Sequence, residues 1–317
     1  MPSSRLDTSP ATSPRRALII AHVAAVLFGM TGILGALIHF DPATITAGRA
    51  GFAAVALLVL ALLQKRPVVR ALNARHICVL LASGIFLAVH WVTFFLAVKV
   101  GGVAVATLGF ASFPAFIALL DVLVFRERIG AGESTLLTLV TLGLILVTPS
   151  FDFGNSGTIG LLWGLLSGLS FACLAVLNRR GSRGVDAMQV ALWQNTIVFL
   201  LVLPLAGMMG GMDASQAIEA VSSSGAAGTV AAVPSHLADW FWLAMLGIFC
   251  TGLSHTLFVR SLEGLDARSA GMIIALEPVY AIACAWWLFG DQPSLRMLAG
   301  AGLIILATVL SARGKKG

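Results

Sequence analysis

The sequence predicts an all-α membrane protein with ten transmembrane helices arranged as two inverted five-helix repeats. Three observations lead there. Apolar residues make up 58% of the 317 and charged residues 11%, against about 25% charged in an ordinary soluble domain. The apolar residues gather in runs of about 20, the number of helical residues that crosses a hydrocarbon core of roughly 30 Å. The basic residues sort to one side of the layer those runs define.

The runs fall at 17–38, 44–64, 76–98, 103–125, 132–149, 157–178, 187–208, 238–259, 267–289 and 294–312. Helices are required, because lipid offers no partner to a backbone N–H or C=O. Barrel strands are excluded, since they alternate in polarity and cross in about ten residues. Residues 1–16, rich in Ser, Thr and Pro, read as a disordered cytoplasmic tail, and the span that follows is too long for a signal-peptide core. Of 20 Lys and Arg, only Lys99 and Arg296 fall on the outer side, and Arg49 lies inside a span. This bias puts both termini in the cytoplasm, including the basic tail 313–317, and suits the inner membrane of a bacterium. The net charge of +6 is then a topological signal, and no nucleic-acid partner is expected. Segment 209–237 carries no basic residue and is expected outside, with a short interfacial helix around 213–221. Cys78, Cys173, Cys250 and Cys284 all lie within spans, where a thiol behaves as a small hydrophobe, so they imply neither disulfides nor a metal site.

The spans repeat. "FASFPAFIALLDVLVFRER" at 110–128 aligns with "ALEPVYAIACAWWLFGDQP" at 275–293 at an offset of 164 residues: Pro114 meets Pro278, Phe125 meets Phe289, and Glu127 meets Asp291. The same offset carries Phe94 onto Phe258 and His90-Trp91 onto Ser254-His255. An offset of 145, shortened by the long segment 209–237, carries Arg49 onto Gln194. Residues 17–149 and 157–312 are therefore two copies of five spans. Five is odd, so the second copy enters the membrane upside down, as in many secondary transporters, whose substrate site lies near the midplane between the repeats.

On these residues the chain resembles the drug/metabolite transporter superfamily, and within it the group with two EamA domains. The carriers of the resemblance are Pro114 with Glu127, Pro278 with Asp291, "LEPV" at 276–279, Arg49, and "HWVTFFLAVKVGGVAVATL" at 90–108. The resemblance implies a central cavity and transport, often export, of amino acids or other small metabolites. It implies no cofactor.

The polar residues inside the spans are the candidate site. Glu277 lies about 15 Å into its span, near the bilayer centre, where a charge costs about 2.5–3.5 kcal/mol on insertion scales. Pro278 cannot donate to the carbonyl of Ile274, so acid and kink together make a polar notch. Pro114 is the matching kink. Tyr280 shares much of the Glu277 face and either bonds the acid or substrate or packs. Arg49 lies about 9 Å and His90 about 12 Å below the outer surface, so they meet at one depth. The Arg49 fork either takes a substrate carboxylate or phosphate or snorkels to headgroups. His90 relays a proton, pairs with the partner of Arg49, or satisfies a backbone carbonyl, and Trp91 walls the cavity or faces lipid. Gln194, Asn195 and His255, with Trp193, gather toward the cytoplasmic side. Asp121 is expected to pair with Arg126 or Arg128. Gly29, Gly32 and Gly35, like Gly160, Gly164 and Gly168, allow close helix contact.

The expected partners are a small-molecule substrate, the bilayer, protons or a counter-substrate for coupling, and a second copy should the protein be a homodimer. No phosphate-binding loop, zinc pair or nucleophile elbow is present, so an ATP-driven pump and the common hydrolases lack support, and the chain is expected not to be an enzyme. The competing readings are an intramembrane enzyme using Glu277 with a His, and a small-solute channel.

Overall fold

A computed structural model of the chain describes residues 13–69, 72–126, 130–148, 152, 154–181, 185–223, 236–261, 264–265, 273–274 and 276–313. Outside these fall Glu127, most of the N-terminal tail, the C-terminal tail, part of segment 209–237 and the start of the ninth expected span. The side chain of Asp121 is likewise outside the description, so its expected pairing is not addressed.

Every regular element among the described residues is helical: α1 (Pro14–Leu37), α2 (Pro42–Leu63), α3 (Ala74–Phe110), α4 (Phe113–Phe125), α5 (Ala131–Val147) and α6 (Ser156–Gly181), then α7 (Ala187–Ser223), α8 (His236–Gly247), α9 (Ser254–Ser261), α10 (Glu277–Phe289) and α11 (Leu295–Arg313). A wide π-turn, Ile248–Leu253, joins α8 to α9. Six described helices are long and apolar enough to cross a membrane, and three more apolar helices, within α4, α5 and α11, are shorter. The apolar surface faces outward: Trp287 is 83% and Leu295 86% exposed, an arrangement that only a lipid surround makes favourable.

The expected uninterrupted spans four, eight and nine are corrected. Between the third and fourth, within α3, the backbone turns at Gly102, in the expected gap, where φ is 81° and ψ 166°, a conformation open to glycine alone. The fourth breaks at Ala111 and Ser112, and the eighth changes pitch at the π-turn. In the ninth, α10 begins only at Glu277. The seventh apolar span ends at Met208 as expected, but its helix does not stop there. It continues to Ser223, so 213–221 is the end of one long helix.

Packing follows the repeat. The main contacts are α3 and α4 on α6, α2 on α7, α5 on α11, and α9 and α10 on α1. Exchanging the first five spans for the second five maps this set onto itself. Close approach depends on glycine: a Cβ on Gly160 would sit 2.5 Å from the Gly101 Cα, and one on Gly164 would sit 3.0 Å from the Ala106 carbonyl. The bundle has two distinguishable ends. At one, His39 and Asp239 pair at 3.0 Å, and at the other Arg66 and Asp186 pair at 3.1 Å.

Candidate substrate cavity

Pro278 and Pro114 do not kink continuous helices. Each stands second in a new helix, α10 and α4, where the missing N–H costs nothing because first-turn donors have no helical partner. The two starts match bond for bond. Ala115 and Phe116 N–H donate to the Ser112 carbonyl, and Val279 and Tyr280 N–H donate to the Leu276 carbonyl, at 3.0, 3.3, 2.9 and 3.2 Å. These pairs stand 164 residues apart, the offset read from the sequence. The broken helix leaves room for α1: the Gly29 Cα lies so close that a Cβ there would be 3.1 Å from the Glu277 carbonyl oxygen.

Between the repeats lies a cavity of about 480 Å³. Its wall includes Arg49, His90, Trp91, Gln194, Asn195, His255, Glu277 and Pro278, so eight of the eleven residues singled out from the sequence share it. Arg49, 5% exposed, donates from Nε to the Thr251 hydroxyl at 2.8 Å. Its guanidinium carbon stands 4.0 Å from the centroid of the Trp91 ring, a cation–π contact with the best aromatic acceptor. Thr251 in turn donates to the Leu246 carbonyl at 3.1 Å, a five-residue reach that the π-turn makes possible. Among the described residues, the two terminal guanidinium nitrogens have no hydrogen-bond partner.

The Glu277 carboxyl lines the same cavity and, among the described residues, makes no hydrogen bond or ion pair. Arg49 and Glu277 lie within electrostatic range of one another yet do not form a salt bridge. His90 is anchored: its Nδ1 is 2.7 Å from the Ser167 hydroxyl and 3.2 Å from the Ser167 carbonyl. A carbonyl only accepts, so Nδ1 carries the proton, and whenever the ring is neutral Nε2 is its acceptor. The ring sits in an aromatic box with Phe110 at 4.9 Å and Phe171 at 5.2 Å, extended by Phe113 stacked on Phe110 at 5.3 Å. Gln194 donates to the Ser83 hydroxyl at 2.7 Å and to Asn178 at 2.8 Å, and Asn195 donates to the Ala191 carbonyl at 2.8 Å.

Three residues are not in the wall. Tyr280 turns away from the acid, and its hydroxyl shares a hydrogen bond with His22 Nδ1 at 2.9 Å. The helix that carries both residues starts at Glu277, and three positions on, the side chain points back along α1. Trp193 donates to the Val68 carbonyl at 2.8 Å and ties α7 to the α2–α3 connection. One residue before Gln194, it lies about 100° around the helix. Pro114 supports α4 without reaching the cavity. Sequence reasoning passed over Thr251, Asn178 and the aromatic box. Only the box left a signal, since the alignment that pairs Pro114 with Pro278 also pairs Phe113 with Glu277.

A helical bundle with an apolar outer surface and, between two similar halves, a largely apolar cavity set with a few polar side chains defines a multi-pass membrane protein of transporter type. The description EamA-like transporter family matches residues 15–148 and again 158–313, and the chain belongs to that family. Among curated relatives, the pseudopaline exporter CntI of Pseudomonas aeruginosa is 24% identical over 296 residues, 92% of this chain and 96% of that protein. The uncharacterized transporter YxxF of Bacillus subtilis is 22% identical over 77% of this chain and 73% of its own length. A transporter of Archaeoglobus fulgidus is 24% identical over 74% of this chain and 75% of its own. One solved crystal structure, 17% identical, superposes with a TM-score of 0.59 over 95% of this chain and 99% of that one, which supports the fold alone.

Proposed function

We propose that the protein is a secondary transporter that exports an amino acid or related small metabolite across the inner membrane by alternating access around this cavity. One observation carries the reading: the side chains of Arg49 and Glu277, a base and an acid, line one cavity and, among the described residues, form no ion pair with each other or with another charged group. Buried charges are costly unless paired, and a ligand with an acidic and a basic group would pair both. The aromatic box would take its apolar part, and Gln194, Asn195 and His255 would line its path toward the cytoplasm.

All ten segments cross the bilayer in this reading, the broken ones as half-helices, with both termini inside. The opposite courses of α1 and α6 between the two ends of the bundle support the inverted repeat. Glu277 serves as the coupling group, loading and releasing a proton as the cavity changes sides. The exporter named among the relatives is consistent with this direction of movement.

The test compares amino acids and other small metabolites inside and outside cells that lack or overproduce the protein, followed by uptake of the responding compound into proteoliposomes. Saturable flux with counter-transport is expected. Flux that never saturates would favour a channel, and chemical turnover of the compound by purified protein would favour an enzyme.

A further inference from the structure

We propose that α8 is the gate at the end of the bundle away from the cavity mouth, held shut by a tie at each of its ends. The inference rests on the alternating-access reading and adds the moving part to it. The cavity wall draws on the Asn178, Phe258 and Thr308 ends of their helices, which lie toward the Arg66–Asp186 end of the bundle. None of its residues comes from the opposite end, where Ile33, Ile38, Ile45, Phe95, Leu243 and Leu246 form a plug in which each is fully buried. Leu243 and Leu246 belong to α8.

The first tie is at the start of α8. Asp239, 3% exposed, accepts from the His39 backbone N–H at 3.1 Å and lies 3.0 Å from His39 Nδ1. It is also in electrostatic range of Lys99, which donates to the Ile38 carbonyl. Trp240 packs edge-on against Phe40 at 5.4 Å. The α1–α2 connection, α3 and α8 are thereby joined at one point. The second tie is at the other end of α8, where Thr251 holds Arg49 and returns a hydrogen bond to Leu246 of the plug. The π-turn between them is a ready pivot, since its bonds are already displaced from the helical pattern. A substrate anion that draws the Arg49 guanidinium from Thr251 would release this tie, so occupancy of the cavity and opening of the plug become one event. Thr251 is a positioning residue in this scheme, acting on substrate through Arg49.

The test reads the gate directly. With Cys78, Cys173, Cys250 and Cys284 replaced by Ala, a single cysteine at position 45 is labelled by a membrane-impermeant maleimide in intact cells and, separately, in inverted vesicles. Labelling should be slow from both sides, because Ile45 is fully buried. Asp239→Asn and Thr251→Ala should each speed labelling in intact cells about ten-fold, the effect of losing roughly one buried, charge-assisted hydrogen bond from the closed state. Thr251→Ser, which keeps the hydroxyl, should restore the slow rate. His39→Ala covers the case in which Asp239→Asn does not fold, since the His39 side chain is 67% exposed. It removes one bond to Asp239 and should also accelerate labelling. Unchanged labelling in all of these variants, or acceleration only in inverted vesicles, would overturn the gate. Failure of the transport reading would appear separately, as no flux in proteoliposomes with the gate response intact.

Discussion

Replacing Arg49 with lysine keeps the charge and removes the fork, which makes it the sharpest test of the cavity. In the structure the guanidinium spends Nε on Thr251 at 2.8 Å and lays its plane against Trp91 at 4.0 Å, leaving two terminal nitrogens for a ligand. A lysine ammonium is a point charge with no such planar edge, so it cannot give a carboxylate two parallel bonds while lying flat against Trp91. The bidentate pair with a substrate carboxylate is replaced by a single charged hydrogen bond, a loss of about 2 kcal/mol, or roughly thirty-fold in Kd. In proteoliposomes the half-saturating substrate concentration should rise by about that factor, with membrane abundance unchanged because no buried charge is stranded. Arg49→Ala should abolish saturable transport outright. Wild-type half-saturation in Arg49→Lys at normal abundance would refute the argument, and survival of transport in Arg49→Ala would leave Arg49 a packing role against Trp91.

Glu277→Gln imitates the protonated acid with little change in volume. It should bind and exchange substrate across proteoliposome membranes yet fail to concentrate it against a gradient, and gradient-driven uptake at the wild-type rate would remove the acid from coupling. A cysteine at position 225 should react with impermeant reagent in intact cells, and reaction only after permeabilisation would overturn the ten-span topology. Gly164→Val should lower thermal stability by about 1–3 kcal/mol through overpacking, because its Cβ would press on the Ala106 carbonyl and Gly109 backbone. Gly302→Ala has open space around it and should be neutral or stabilising by about 0.5–1 kcal/mol, so equal melting temperatures for the two variants would discredit the close-packing account.

The fold was readable because two of its causes are written along the chain. Apolar run length answers to bilayer thickness, and the offset of 164 residues that joins Pro114 to Pro278 reappears as two helix starts with the same hydrogen bonds. What the sequence hid was continuity. A proline inside an apolar run marks either a kink or a helix start, and only the neighbouring backbone distinguishes them; here the break falls two or three residues earlier. The same limit applies to the site. Arg49, His90 and Glu277 stand out because polar groups are expensive in lipid, whereas Thr251, Phe110 and Phe171 are cheap there and carry no mark. Tyr280 shows the converse error. Spacing put it near the Glu277 face, but its hydroxyl found His22 on α1, and no periodicity within one helix reports what a neighbouring helix offers.

The repeats are alike in scaffold and unlike in chemistry, and that contrast bears on how such a protein works. The prolines, the helix starts and the packing of α2 on α7 and α5 on α11 obey the exchange of halves. The charges do not. Arg49 has Gln194 as its counterpart, and Glu277 has Phe113, so each half contributes one charge at a position where the other half is neutral. In the proposed cycle, a scaffold with pseudo-two-fold symmetry allows the same rearrangement to be made from either side, which is what two alternating openings require. Strictly symmetric charges would set arginine against arginine and acid against acid within one small cavity of low dielectric, at a cost in repulsion that a single ligand could not offset. One charge of each sign, drawn from opposite halves, avoids that repulsion and gives an asymmetric ligand one orientation. The divergence between the halves at these two positions is therefore where substrate preference should be encoded, and the symmetric positions are where substitution should affect movement.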